Sequence, residues 1–389
     1  MFETQRRNFL RLPILAAATI GMQRFSDADE PRQKTTQIDP RGYFTVDRRN
    51  DRWWMIQPDG SVNFSLGLNH IDPEPLRQGE DDRLWQKRYA ADVQRWLAES
   101  VRKNLLDWGF NTVGLTADVI ALENDDRRLG GGLSPAQLRS LQMPYGYLLP
   151  FAQPDPVTGE LPPNDYLGQP FARWCDRIAR QHCAAVRDDR QLIGYWSAER
   201  PDWSQARFSS RSEMANQATG YYQTIRTAIR RYAPHHLILG DRYDASRSLS
   251  ATVVRAALPH VDLLSVDCSG DAVNVHRQLS KMAQLFDRPI LVADHAIDRQ
   301  PHNNAWPPQE NRFHDPRGYR RTVEILTAIP QVVGYHLCGG YLPSQLLRRG
   351  LMDAQERPDR LAIEGIRTTN AAVKRWVADT GDSPLEPPG

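Results

Sequence analysis

Polar residues recur where short apolar runs give way to loops. Asn69 and His70 follow NFSLGL, Glu199 follows LIGYWSA, and Asp241 with Arg242 follows HLILG. Asp267 ends VDLLSVD, Asp294 and His295 follow PILVA, and His336 lies within VVGYHL. A carboxylic acid can donate a proton, accept one or attack an electrophilic carbon, and its surroundings decide which. Two of these carboxylates carry the most chemical weight. Glu199 stands between Trp196 and Trp203 and near Asp202, where desolvation and like charge would hold its proton to higher pH. Asp294 has His295 beside it and no such aromatic flank.

Positioning these residues requires a regular frame, and the rest of the sequence supplies one. GYFTVDRRNDRWWMIQPDGSVNFSLGLNH holds β-rich runs broken by Asn50-Asp51 and Asp59-Gly60, which predicts an N-terminal hairpin leading into a first strand over Val62 to Leu68. Apolar residues spaced by three and four from Leu84 to Leu105 predict one long helix from Asp81 to Trp108, and GFNTVGL, which contains Asn111, predicts the next strand. Ser134-Pro135-Ala136-Gln137 is a capping box with proline at the first helical position, before a strand around YGYLLPF. A Pro-, Asp- and Gly-rich loop then runs from Gln153 to Gln169, and Gly130-Gly131-Gly132 reads as a flexible loop. Beyond it helices and strands alternate: LIGYW, HLILG, VDLLSVD, PILVAD and VVGYHL each follow an amphipathic segment, and a last helix covers Leu361 to Val377. Eight strands buried on both faces and separated by helices predict an α/β fold, a (β/α)8 TIM barrel with an N-terminal β-hairpin extension. The G-x-G-x-x-G of a dinucleotide-binding sheet does not follow the first strand.

Composition narrows the partners. The chain has 389 residues, 40% hydrophobic and 25% charged, enough for a large core, and a formal net charge of +2 with both signs interspersed. That pattern offers no footprint for nucleic acid or an anionic membrane. Cys175, Cys183, Cys268 and Cys338 have no C-x-x-C spacing and form no zinc-like cluster with histidine, so they read as free buried thiols; no metal or cofactor is expected. At the N-terminus, TQRRNFLRLPILAAATIGM has paired Arg6 and Arg7, then Phe9-Leu10 and an apolar segment from Leu12 to Met22, which resembles a twin-arginine export signal. Gln5 stands where Ser or Thr is usual, and a start assigned too early or a fraying amphipathic end is the alternative. The apolar segment is shorter than the roughly 20 residues of a spanning helix, and Ser26-Asp27-Ala28 offers a cleavage site. The expected organisation is a signal over 1–28, a linker over 29–41, a barrel with its hairpin over 42–378 and a tail over 379–389. The mature protein is then periplasmic or secreted, with no integral membrane span.

RWWMIQPDGSVNFSLGLNHID, WGFNTVG, LIGYWSAE, RPILVAD and VVGYHL, taken together over Gly42 to Val377, resemble the barrel of agarase-like and β-galactosidase-like glycoside hydrolases. The aromatic pair, PDG turn and LGLNH in that order carry most of the likeness. The resemblance implies cleavage of O-glycosidic bonds in an oligo- or polysaccharide such as a galactan, with the acid/base on strand four at Glu199 and the nucleophile on strand seven at Asp294. Such cleavage needs one acid to protonate the leaving oxygen and one carboxylate to attack or to activate water. Substrate contacts are expected from Asn69, His70, Asn111, Trp196, Trp203, Asp241, Arg242, Asp267, His295, Trp306 and His336, with Trp196, Trp203, Tyr335, Tyr341 and Trp306 offering rings to sugar C–H faces. The sequence departs from the family pattern twice. Ala198 precedes Glu199 where an asparagine normally contacts the sugar 2-hydroxyl, and Asp294 stands where glutamate is usual.

Other readings of these residues stay open. Glu199 and Asp294 can be structural ion-pair partners of Arg200, Arg242 and Arg299, and His70 and His336 can be polar fillers of the barrel interior. A decayed barrel would bind carbohydrate without turnover. A metal-dependent hydrolase would draw on His70, Asp72, Asp241, Asp267 and His336, but the strand-one H-x-H and the strand-four lysine of such cages are missing.

Overall fold

The computed structural model describes residues 42–77, 83–116, 119–121, 127–129, 132–155, 158–245, 250–296, 316–343 and 350–381. The export-signal segment, Arg299 and Trp306 lie outside them. Strands β1 (Thr45–Arg49), β2 (Arg52–Ile56) and β3 (Val62–Asn63) form an antiparallel sheet. Asn50 and Asp51 both take positive φ between β1 and β2, the conformation that a two-residue hairpin turn demands.

The chain then enters a closed barrel of eight parallel strands: β4 (Ser65–Leu68), β5 (Thr112–Val113), β8 (Tyr145–Leu148), β9 (Leu192–Glu199), β10 (Leu237–Asp244), β11 (Leu264–Cys268), β12 (Ile290–His295) and β13 (Val332–Leu337). Pairing of β13 with β4 closes it, and a short hairpin of β6 (Val119–Ala121) and β7 (Arg127–Leu129) follows β5. The predicted first strand over Val62 to Leu68 is two strands. Val62–Asn63 pairs with β2, and the chain turns at Phe64 so that Ser65–Leu68 joins the barrel.

Helices pack on the outer face because their apolar residues share one stripe. In helix Gln169–Cys183, for instance, Phe171, Trp174, Cys175 and Ile178 are buried. The predicted helix from Asp81 to Trp108 is interrupted. Helix Arg83–Tyr89 ends where Ala90 and Ala91 adopt positive φ, and Asp92 caps a new start by accepting from the N–H groups of Gln94 and Arg95. Hydrophobic spacing carries across the break and therefore does not reveal it. The capping box at Ser134 forms as its residues dictate, opening helix Pro135–Ser140. Among the described residues, no helix is long and apolar enough to cross a membrane.

The lower barrel is filled by Ile193, Leu237, Leu239, Leu263, Leu291 and Val333, packed with Phe44 and Met55 from the N-terminal segment. Above them lies a polar layer. Ser65 Oγ is 2.9 Å from both Thr112 Oγ1 and His336 Nε2, and Trp196 donates from Nε1 to Ser265 Oγ at 2.9 Å. The barrel is a filled core, open to chemistry only at the C-terminal ends of its strands.

Candidate active site

Four barrel strands, β9 to β12, bring charge to that end. Arg242, on β10, is fully buried; its Nη1 donates to Glu199 Oε2 at 2.5 Å and its Nη2 to the Ala293 carbonyl at 3.1 Å. The same Nη2 lies 3.3 Å from Asp267 Oδ1 and 3.7 Å from Asp294 Oδ2. Arg200, the residue after Glu199, folds back over the group with a positive φ. Its Nε donates to Asp267 Oδ2 at 2.8 Å and lies 3.5 Å from Glu199 Oε1, and its Nη2 is 3.8 Å from Asp294 Oδ2. Three carboxylates thus share two guanidiniums. The Glu199, Asp267 and Asp294 side chains are 7%, 2% and 9% exposed, while Arg200, at 39%, forms the solvent side of the group.

A strand irregularity makes this cluster possible. Leu237 and Leu239 point into the barrel, and strict alternation would send Asp241 inward after them. Gly240, at φ +69°, bulges the strand, and the pairing with β9 slips on both sides of it. Arg242 therefore faces inward, whereas Asp241 faces the outer helices. There Asp241 accepts from Ser197 Oγ at 2.6 Å, Tyr222 at 2.6 Å, Tyr221 at 3.1 Å and Trp203 Nε1 at 3.4 Å. Pairing of β12 also slips between Val292 and His295. Asp294 meets the cluster, and His295 turns outward to the Tyr335 hydroxyl at 3.0 Å and the Gly270 carbonyl at 2.9 Å.

Asp294 has the better defined anchor. Asn69 Nδ2 donates to its Oδ1 at 2.6 Å and to the Ala293 carbonyl at 2.8 Å, while Asn69 Oδ1 accepts from the Leu115 N–H at 2.9 Å. The asparagine fits because residue 114 is glycine. A Cβ there would stand 1.9 Å from Asn69 Oδ1, and the neighbouring side chain would have to move. The Cys338 thiol lies beside Asp294, and burial together with that carboxylate's charge pushes the thiol up.

The two carboxylates are driven in opposite directions. Burial pushes Glu199 up to about 8; Arg242 opposes the rise and the charges of Asp267 and Asp294 add to it. Burial acts on Asp294 too, but Arg242, His70, Arg200 and the Asn69 hydrogen bond together outweigh it and hold the group below the usual aspartate range. Near neutral pH one group keeps a proton and the other is an anion. Beneath them, burial and Arg242 lower His336 to about 3, so it is a neutral polar filler.

Of the sequence-predicted residues, the structure brings together Glu199, Asp294, Asn69, His70, Arg242 and Asp267, with His336 and Trp196 below. It does not bring Asp241, His295, Trp203 or Asn111 to the group. Asn111 sits at the opposite end of the barrel, accepting from Leu66 N–H and donating to Asn63 and Phe64. The expected ring platform is also absent among the described residues. Trp196, Tyr335 and Tyr341 are fully buried, and Trp203 packs with Tyr166, Phe208, Tyr221 and Tyr222. Aromatic character alone does not say which side of a strand end a ring takes. Two members of the site are not marked as such by the sequence pattern: Arg200, whose residue type and position fit an ion-pair partner, and Cys338, which fits a free buried thiol. The position of Cys338 directly after the eighth strand was the available signal.

The closed parallel barrel is the fold of solved agarase structures. No protein-family model matches the chain. It is similar to β-agarase B of Vibrio sp. (strain JT0107), at 20% identity over an alignment covering 69% of this chain and 40% of that protein. Among solved structures it is similar to an exo-β-agarase, with TM-score 0.66 and 14% identity over 88% of this chain and 66% of that one. A second agarase structure gives TM-score 0.66 and 13% identity over 86% of this chain and 65% of its own. The chain spans less than half the length of the curated agarase and about two thirds of these structures. At these identities the likeness is one of fold.

Proposed function

We propose that the chain is a glycosidase that cleaves O-glycosidic bonds in a polysaccharide such as a galactan, with Glu199 as the acid and Asp294 as the attacking or water-activating carboxylate. The observation that carries this reading is the opposite proton affinity of two carboxylates held in one buried cluster: Glu199 raised to about 8, Asp294 lowered. A protonated Glu199 supplies the proton that the leaving oxygen needs. Asp294, kept ionised by Arg242 and oriented by Asn69, supplies the electron pair. The fold shared with agarases supports the substrate class.

A screen of polysaccharides and aryl glycosides tests the proposal. Glu199→Gln is expected to cut turnover of natural linkages by about 10²–10⁴-fold while sparing substrates with good leaving groups, and Asp294→Ala is expected to abolish both. Equal loss on both substrate kinds in Glu199→Gln removes it from the acid role.

One observation favours a second reading, a barrel that binds sugar without turnover. Arg200 spans all three carboxylates from the solvent side, so a sugar ring must displace it to reach them. Binding by wild-type protein with no hydrolysis of any glycan in the panel selects that reading.

A further inference from the structure

Three side chains at the barrel mouth form a donor set in which Asp294, used by the hydrolytic reading, meets two residues that it does not use. His70, Asp294 and Cys338, from the ends of the first, seventh and eighth barrel strands, each offer one ligand atom, and these atoms lie within 4.8 Å of one another. All three residues are buried, and among the described residues this is the one His, Cys, Asp and Glu group so arranged. Imidazole nitrogen, carboxylate oxygen and thiolate sulfur together are the ligands of zinc-class ions rather than of magnesium or calcium. We propose that His70, Asp294 and Cys338 form a binding site for a thiophilic divalent cation of the zinc class, leaving a fourth position for water.

The site is built before the ion arrives. The His70 N–H donates to the Leu115 carbonyl at 2.7 Å, its own carbonyl accepts from Tyr341 N–H at 3.2 Å, and its positive φ fixes the turn that aims the ring. The Cys338 N–H donates to the His295 carbonyl at 3.0 Å, and Asn69 holds Asp294. Ligands carried on strand ends lose little freedom when they bind. The Cys338 sulfur lies within 4.8 Å of the ligand atom of Asp294, so the ion takes the place of the thiol proton. The bond formed is metal–sulfur, the bond broken is S–H, and the proton leaves to solvent. Arg242 and Arg200, at 3.7 and 3.8 Å from Asp294 Oδ2, oppose a cation. Exchange of a thiol proton for a divalent ion adds one net positive charge beside the Asp294 carboxylate.

Because the ion takes up Asp294, it inhibits hydrolysis; this consequence rests on the proposed glycosidase activity, whereas the binding itself does not. Metal-stripped full-length protein is titrated with zinc chloride by calorimetry, and with cobalt(II) chloride while recording absorption. The expected result is one zinc site, and a cobalt–thiolate charge-transfer band in the near ultraviolet. Cys338→Ser removes the band, and Cys338→Ser and His70→Asn each weaken zinc binding by roughly tenfold or more. Cys183→Ser, a buried thiol far from the mouth, leaves both intact, and circular dichroism confirms that each variant is folded. Absence of zinc binding, or binding and cobalt absorption unchanged in folded Cys338→Ser, overturns the site. Zinc binding with these properties in a protein that hydrolyses no glycan upholds the site and sinks only the glycosidase reading.

Discussion

If Glu199 is the acid, its proton sets the alkaline limit of activity, and Asp267 helps to set that proton's affinity. Burial raises Glu199 to about 8, and Asp267 contributes to the rise by like charge. Glu199 Oε1 and Asp267 Oδ2 lie 3.5 and 2.8 Å from the same Arg200 Nε. The two carboxylate charges are therefore no more than roughly 6 Å apart, and at an effective dielectric of about 20 they repel by about 3 kcal/mol, or about two pH units. Solvent on the Arg200 side screens part of this, which leaves about one unit as the working expectation. Asp267→Asn removes the repulsion and frees Arg200 to turn toward Glu199, and both effects lower the proton affinity of Glu199. The assay is kcat/KM against pH on whichever glycan the screen identifies. In the wild type, activity falls as pH rises through about 8; in Asp267→Asn the fall is expected about one unit lower, with activity retained on the acid side. An active variant whose alkaline limb has not moved refutes the electrostatic coupling. A wild-type limb unaffected by Glu199→Gln refutes the assignment of the proton.

The same raised group makes a stability prediction. Because its folded value lies above its unfolded value of 4.5, Glu199 adds stability that is fully present below pH 4.5 and lost as pH rises through about 8. Glu199→Gln is expected to flatten the dependence of Tm on pH over that window and to raise Tm at pH 8; a wild-type slope retained in the variant counts against it. Elsewhere, the Glu356 carboxylate accepts from Trp96 Nε1 at 2.9 Å, Ser100 Oγ at 2.7 Å, Arg88 Nη1 at 3.1 Å and the Tyr89 hydroxyl, tying the segment after the eighth strand to helices Arg83–Tyr89 and Val93–Trp96. Glu356→Ala strands those donors and is expected to cost about 3–5 kcal/mol in chemical denaturation, and a loss under about 1 kcal/mol removes the latch role. For export, replacing Arg6 and Arg7 by lysine is expected to hold the protein in the cytoplasm, with mature wild-type protein starting near Ala28; unchanged fractionation contradicts the signal.

The barrel is legible in the order of apolar runs and helical stripes. Apolar runs such as PILVA and VVGY bury on both faces, and the helical stripes between them have one place to pack, so β9 to β13 follow their motifs closely. The same order also brought Glu199, Asp294 and Asn69 to the strand ends, because a residue just past an apolar run in a parallel barrel lies at the mouth. Tertiary structure decided what those side chains face. Alternation has a period of two, and one bulged residue inverts everything after it. At Gly240 that inversion sends Asp241 to Tyr221 and Tyr222 and delivers Arg242 to three carboxylates. The helix break at Ala90 and Ala91 escaped the pattern because Tyr89, Trp96 and Ser100 are held by Glu356, more than 250 positions away in the chain. Cys338 meets its neighbours by the same route: His70 and Asp294 are far apart in the sequence and come together with it only when β13 closes on β4. Strand periodicity is a local property of the chain, whereas the charge, burial and ligand set of a barrel mouth are properties of closure.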